Sequence, residues 1–201
     1  AESSPSYRSD PVWHVQVFVV LALVLQLLLP EHLVAGPRYL LVFLELILLV
    51  LLMVTTPKEP VFRSLLRRLN AVTLAGLVSL ANIYSLVGVS QDLLAGGRIA
   101  NGQELILSAL NIYATNIIIF ALWYWELDRG GPLARGQGER AYPDFLFPQM
   151  QATGLVDPDW EPMFTDYLYL SFTNVTAFSP TDTLPLSRWA KLLMTMQSMV
   201  S

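Results

Sequence analysis

Four polar side chains lie in the middle of long apolar runs of the sequence: Glu45, Asn82, Asn111 and Asn116. A charged carboxylate at the centre of a bilayer costs about 2.5–3.5 kcal/mol or more. Glu45 is therefore interpreted in two ways, as an ion or proton site or as a protonated or hydrogen-bonded residue that faces other helices. Asparagine amides in such runs form hydrogen bonds between helices that average about 0.6 kcal/mol. We expect the three asparagines to hold helices together rather than to line a conduction path.

Two acidic residues, Glu126 and Asp128, follow the aromatic run Trp123-Tyr124-Trp125 and precede Arg129. Aromatic rings of this kind collect at membrane interfaces, where we expect both carboxylates to be solvated or paired with the arginine. Acid–base catalysis would need a nucleophile or a metal beside them, and the neighbouring residues suggest neither. The sequence also contains no nucleophile elbow, zinc-protease helix, P-loop or dinucleotide fingerprint. It therefore predicts no catalytic residues and no enzyme.

Residues that bind metals are scarce. The chain has no cysteine and two histidines, His14 and His32, which stand at the edges of the first apolar run. No carboxylate lies at a ligand spacing from them. We predict no metal site and no cofactor.

The composition indicates an integral membrane protein. Of the 201 residues, 54% are hydrophobic and 14% are charged, whereas soluble domains carry about 25% charged residues. The apolar residues are concentrated in runs close to bilayer-spanning length. The formal net charge of −4, with no basic face to offset it, argues against nucleic-acid binding.

The pattern predicts an all-α membrane protein: four transmembrane helices, a proline-rich loop, a re-entrant or interfacial helix, and the start of a fifth helix. Residues 1–11 are rich in serine and proline and are predicted to be disordered. Residues 12–127 are predicted to form the four-helix transmembrane bundle. Its spans are Val12–Leu29, Arg38–Val54, Asn70–Leu94 and Glu104–Leu127.

The C-terminal part of the chain divides into two predicted units. Residues 128–165 hold five prolines and several aromatic residues. We expect an ordered extramembrane loop, because a flexible linker would not need aromatic surface to bury. Residues 166–201 are predicted to form a pore-like helix, a turn and the start of a C-terminal helix. Because the apolar pattern continues to the last residue, we expect this helix to be the first part of a longer span.

Within residues 166–201, the segment 171–193 carries a recognisable order of residues. Ser171 and Thr176 lie on the predicted helix, and a turn follows with Ala177, Phe178, Ser179, Pro180, Thr181 and Asp182. The pair Leu184-Pro185 and then Trp189-Ala190-Lys191 open the next helix. This segment resembles the pore region of two-transmembrane potassium-channel-type proteins, in which a pore helix ends in Thr-x-Gly-Tyr-Gly-Asp. The whole chain also resembles a group of bacterial integral-membrane proteins that share the run Asp-Tyr-Leu-Tyr-x-x-Phe-Thr.

The resemblance implies a pore-loop architecture with a degenerate filter. Ser179 and Thr181 stand where the family has glycines, and Pro180 stands where it has tyrosine. A potassium filter needs successive carbonyls that point at the ion axis, a backbone that serine and threonine disfavour and that proline restricts. We therefore expect an ion-channel-like protein without potassium selectivity, in which hydroxyl groups line a wider path for a monovalent cation. The expected assembly is a homo-oligomer, and the expected location is a bacterial inner membrane.

The charge pattern conflicts with a pore that opens outward. Thr55–Leu69 is the most basic short loop and is expected on the cytoplasmic side. With two spans after it, the end of the fourth span returns to that side. Either one span is miscounted, or the charge rule misleads, or the segment is not a pore.

An interpretation without a pore is also open. In it, Asp166–Phe178 is an interfacial amphipathic helix and Ser187 caps the last helix. The protein would then be a non-conducting membrane scaffold or an accessory subunit of a larger complex.

Overall fold

The computed structural model of the protein describes residues 12–33, 43–47, 50, 61–96, 101–137, 142–152, 154–158, 160–176 and 182–201. In these residues six α-helices have described ends: α1 (Val12–Leu28), α2 (Val61–Leu94), α3 (Gly102–Leu127), α4 (Pro132–Gln137), α5 (Phe164–Val175) and α6 (Arg188–Val200). Residues 43–47 and 50, within the predicted second span, are also helical. Two short strands, β1 (Phe145–Leu146) and β2 (Leu184–Pro185), pair antiparallel with Phe145 opposite Pro185.

In the part of the chain that the structure describes, two helices are long and apolar enough to cross a membrane, judged by length and composition. The apolar stretches are Arg68–Leu94 in α2, with mean hydropathy 1.8, and Gly102–Gly130 along α3 and the turn after it, with mean hydropathy 2.0. The predicted fourth span therefore matches a helix closely. The sequence predicts that the third span begins at Asn70, but α2 already begins at Val61, because the basic segment before Asn70 continues the same helix without a break.

Helix starts are fixed by side chains that accept hydrogen bonds from otherwise unpaired backbone amides. Asn101 accepts from the amide of Glu104 at 2.9 Å before α3. The Asp166 carboxylate accepts from the amide of Met163 at 2.7 Å, so α5 begins at Phe164. Ser187 accepts from the amide of Ala190 at 3.1 Å. The predicted cap of the last helix is therefore confirmed.

Helix α3 contacts α1, α2, α5 and α6. Helix α2 runs antiparallel to it, because Arg68 lies near Leu127 while Asn82 contacts Ile112 farther along. The C-terminal half of α1 likewise contacts the middle of α3, through Leu25 and Asn111. The start of α2 and the end of α3 are therefore at one end of the bundle.

Helices α5 and α6 both start at the end of α3 and run towards its middle. At the start of α5, Phe164 contacts Trp125, and farther on Ser171 reaches the carbonyl of Ile117. Helix α5 therefore runs from the end of α3 towards its middle. By residues 184–186 the chain is again at the end of α3, because β2 pairs with β1 and the amide of Leu186 donates to the carbonyl of Asp144. Helix α6 then runs inward again, and Ser201 at its end contacts Asn116.

Burial at the end of α3 differs from the prediction. Tyr124 and Trp125 are fully buried against protein, whereas the sequence predicts an interfacial aromatic belt. Glu126 and Asp128 are buried as well rather than solvated. The Arg129 Nε lies 3.9 Å from the Asp128 carboxylate, so the pairing that the sequence also predicts is present for Asp128. The physical reason is that the loop after α3, together with α5, folds over this end. Phe145, Phe147 and Phe164 of the loop segment are buried, while Tyr142 is 87% exposed.

Candidate functional site: the α5–α6 segment and its polar anchors

The structure describes only the two ends of the filter-like segment. Thr176 ends α5, and its hydroxyl donates back to the carbonyls of Phe172 at 3.1 Å and Thr173 at 3.2 Å. Asp182 is exposed and stands two residues before β2. Five of the predicted filter-like residues lie outside the described residues: Ala177, Phe178, Ser179, Pro180 and Thr181. Both described ends are thus anchored to regular structure, Thr176 directly and Asp182 through β2.

A polar clasp, formed by Asp128, Arg135, Asp144 and Tyr167, fixes the start of α5 to the end of α3. The Asp128 carboxylate is fully buried and accepts from the Tyr167 hydroxyl at 2.5 Å and from the Asp144 amide at 2.8 Å. The Asp144 carboxylate in turn accepts from the amide of Arg129 at 2.9 Å. Hydrogen bonds to an ionised acceptor are about twice as strong as neutral ones. The two aspartates therefore cross-connect the turn after α3 with the strand segment.

Arg135 on α4 completes the clasp. Its Nη1 donates to the carbonyls of Trp125 at 2.7 Å and Asp128 at 2.9 Å, two acceptors at the end of α3. The guanidinium carbon also lies 5.3 Å from the centre of the Tyr167 ring and 5.9 Å from that of Trp125. Arginine suits this position because its planar group stacks on aromatic rings while it donates in plane.

The turn that carries Asp128 needs unusual backbone angles. Arg129 has φ 51°, and Gly130 and Gly131 have φ 86° and 101°. A Cβ on Gly131 would stand 3.0 Å from the carbonyl oxygen of Glu126. The Gly130-Gly131 pair therefore lets the chain reverse tightly enough to bring α4 back over the end of α3.

Burial raises the pKa of Tyr167 well above its ordinary value of 10.0. The neighbouring Asp128 carboxylate acts in the same direction, whereas Arg135 opposes the shift. The phenol therefore stays protonated and remains a donor to Asp128. This arrangement is suited to positioning a helix, because its proton is held in a buried hydrogen bond.

A second set of contacts, the glutamine network, joins α5 and α6 to α3. It is formed by Tyr124, Ser171, Asn174 and Gln197. Gln197 is fully buried, and its Nε2 donates to the Ser171 hydroxyl at 2.6 Å and carbonyl at 3.1 Å. Its Oε1 accepts from the Tyr124 hydroxyl at 2.5 Å and from Asn174 at 2.9 Å. A buried amide with all these partners specifies one relative position of three helices.

The predicted intramembrane asparagines contact backbone or side chains of other helices. Asn82 donates to the carbonyl of Ile112 at 3.3 Å and Asn111 to that of Leu25 at 2.8 Å. Asn116 donates to the hydroxyl of Ser201 at 2.5 Å. The structure therefore does not bring these three amides together around one path.

Glu45 is buried and distant in sequence from its partner. Gln26 Nε2 donates to its Oε1 at 3.4 Å, a long hydrogen bond. Its other carboxylate oxygen has no hydrogen-bond partner among the described residues. The two interpretations of Glu45 both remain open.

Sequence reasoning missed Asp128, Arg135, Tyr167 and Gln197 as a group. A signal was present for Asp128, since an acidic residue two positions before Gly130-Gly131-Pro132 is typical of a turn in which the side chain accepts hydrogen bonds from backbone amides. No local signal points to Gln197, because its partners come from other helices.

Metal ligands do not cluster in the described ranges: no group of three or more His, Asp or Glu side chains there lies close enough to hold an ion. No family model, curated protein or solved structure matches the chain.

Proposed function

We propose that the protein is an ion-channel-like integral membrane protein whose α5 helix and following residues form a pore loop without potassium selectivity. The observation that carries the proposal is the path of the chain beside α3. Helix α5 runs inward, the chain is back at the same end by β2, and α6 runs inward again. A helix, a return and a second helix in this order is the backbone path of a pore loop.

Exposed apolar surface supports insertion into a bilayer. In an apolar segment of 18 residues in each of α2 and α3, only 39% and 50% of the residues are buried. Large side chains such as Leu80 and Ile106 are about two-thirds exposed. Soluble monomers rarely expose contiguous apolar patches of more than a few hundred Å², whereas lipid would cover this surface without cost.

We expect a homo-oligomer, because α5 and α6 of one copy lie beside its own helices and cannot surround a pore by themselves. Each copy would contribute one loop to a shared axis. Hydroxyl groups and the exposed Asp182 would then favour a hydrated monovalent cation. Irregular backbone at membrane depth is tolerated where it is buried in protein or lines water.

Depth measurements test the pore-loop path. Because the chain has no cysteine, Thr165→Cys and Thr176→Cys variants can each carry one spin label in reconstituted protein. A re-entrant α5 places residue 176 measurably deeper in the bilayer than residue 165, by the accessibility of the label to oxygen and to a water-soluble nickel complex. Equal depth of the two labels would identify α5 as an interfacial helix and would end the pore-loop proposal.

Flux measurements test conduction. Proteoliposomes that contain the protein should pass sodium and potassium at similar rates and exclude a large organic cation. Asp182→Asn should lower cation flux severalfold, while Glu161→Gln, an equivalent change at another exposed acid, should not. Flux no higher than in empty liposomes would exclude the conducting function.

One observation favours the alternative, a non-conducting scaffold or accessory subunit. Arg68, in the basic segment, lies beside Leu127 and Asp144. The charge rule places this basic end in the cytoplasm, so α5 would enter from the cytoplasmic side. A deep label at residue 176 combined with no cation flux would support the scaffold.

A further inference from the structure

A cavity of about 310 Å³ lies between the start of α2, the end of α3 and the start of α6. It is outside the α5 path described above. Its lining includes the apolar side chains of Leu127, Phe145, Ala190 and Leu193. Trp189 also lines the cavity and is 74% exposed, so it stands at the opening to the outside.

The lining also includes three polar residues, Arg68, Asp144 and Ser187. The Asp144 carboxylate is already an acceptor for the Arg129 amide. Arg68 is exposed, and no carboxylate of the described residues lies within salt-bridge distance of it. Arg188, also exposed, stands between two residues that line the cavity. The opening therefore combines an available guanidinium with an apolar wall.

The position of the cavity along the helices identifies the class of ligand. Arg68 is the first residue of the apolar stretch of α2, and the apolar stretch of α3 ends at Gly130, close to Leu127. The cavity thus lies at the boundary between apolar and polar surface. A molecule that fits has an acyl chain on one side of this boundary and an anionic group on the other.

We infer that this cavity binds one anionic phospholipid, with its phosphate at Arg68 and an acyl chain along Leu127, Trp189 and Leu193. Basic pockets between membrane helices on the cytoplasmic side are suited to such headgroups. The inference rests on the membrane insertion in the proposed function and does not depend on conduction.

Native mass spectrometry of the detergent-purified full chain tests the site. The probes are phosphatidylglycerol, phosphatidylcholine of the same acyl chains, and inorganic phosphate. We expect one phosphatidylglycerol to be retained per chain in preference to phosphatidylcholine. Arg68→Gln should weaken this binding about fivefold, the size expected for one basic residue at a membrane surface. Trp189→Ala should weaken retention of both lipids, because it removes part of the apolar wall.

Lys191→Gln is the matched control, since Lys191 is exposed on α6 but does not line the cavity. It removes the same charge and should change binding less than twofold. Equal weakening by the two charge variants, equal retention of the two lipids, or binding of inorganic phosphate without retention of phosphatidylglycerol would each overturn the inference. Release of the chain from membranes without detergent would instead contradict membrane insertion. Absence of cation flux in protein that still retains phosphatidylglycerol would contradict the proposed pore and would leave the lipid site supported.

Discussion

The two ends of α3 are built differently. At its C-terminal end, Tyr124, Trp125 and Asp128 are fully buried beneath a loop, two strands and the three helices α4, α5 and α6. At its N-terminal end, Ile106, Leu107 and Leu110 are all more than half exposed. The C-terminal end of this apolar helix is thus enclosed by protein, whereas its N-terminal end exposes several large apolar side chains.

This difference shows which interactions stabilise each end of α3. Hydrogen bonds among buried side chains fix the C-terminal end, which includes the polar clasp and the glutamine network. At the N-terminal end, helices meet through a small buried apolar cluster that includes Leu33, Leu105 and Ile112. Amides such as Asn82 and Asn111 add single hydrogen bonds to backbone carbonyls of neighbouring helices. We therefore expect substitutions to have large effects at the first end and small effects at the second.

The largest effect is expected from Asp128→Ala. This change leaves the Tyr167 hydroxyl and the Asp144 amide buried without their acceptor, and the expected loss is about 3 kcal/mol of the free energy of unfolding. The measurement is thermal or denaturant unfolding of the detergent-purified protein. Asp182→Ala removes an exposed carboxylate and should change stability by less than about 0.5 kcal/mol. Equal effects of the two changes would contradict the clasp.

Gln197→Leu should have the next largest effect on the free energy of unfolding. It leaves the Tyr124 hydroxyl and the Ser171 carbonyl without their partner, at an expected cost of about 2 kcal/mol. Gln91→Leu makes the same chemical change at an exposed position of α2 and is the matched control. Unfolding followed by the near-ultraviolet signal of the buried aromatic residues reports both variants. A neutral Gln197→Leu would show that α6 is held by apolar packing rather than by the amide.

Tyr167→Phe should cost about 1.5 kcal/mol near neutral pH, because one hydrogen bond to a carboxylate is lost. It should also change the pH dependence. Burial raises the pKa of Tyr167 above 10.0 in the folded protein. The contribution of its protonated hydroxyl to the free energy of unfolding is therefore complete at pH values below the pKa of the unfolded state. This contribution is lost as the pH rises through the pKa of the folded state.

The free energy of unfolding of the unmodified protein should therefore fall above about pH 10. The free energy of unfolding of the Tyr167→Phe variant should fall less steeply over the same pH range. Tyr142→Phe makes the same chemical change at an exposed tyrosine and is the matched control. Parallel slopes for all three proteins would contradict a buried, protonated Tyr167.

The smallest effect is expected at the other end of α3. Asn111→Ala removes one hydrogen bond to the Leu25 carbonyl, for which about 0.6 kcal/mol is expected. Leu110→Ala, at an exposed neighbour, gives the baseline in the same unfolding assay. A loss at Asn111 as large as that at Asp128 would remove the contrast between the two ends.

Helix positions were largely predictable from the sequence. The apolar run of α3 and the Ser187 cap of α6 depend on residues that are near one another in the chain. The start of α2 was not predictable in the same way, because the basic residues before Asn70 are good helix formers that interrupt the apolar pattern without ending the helix. The pairing of Leu184-Pro185 with Phe145-Leu146 was missed, since two residues are too few to show a strand period.

The sequence by itself determined that long apolar helices dominate this protein, because hydropathy and length are properties of the chain alone. It also determined that a helix precedes a second helix capped by Ser187 in residues 164–200. Only the tertiary structure decided that Asp128 and Gln197 are buried and where α5 and α6 lie. Their partners are more than ten residues away along the chain, and such contacts are fixed by packing rather than by local preference.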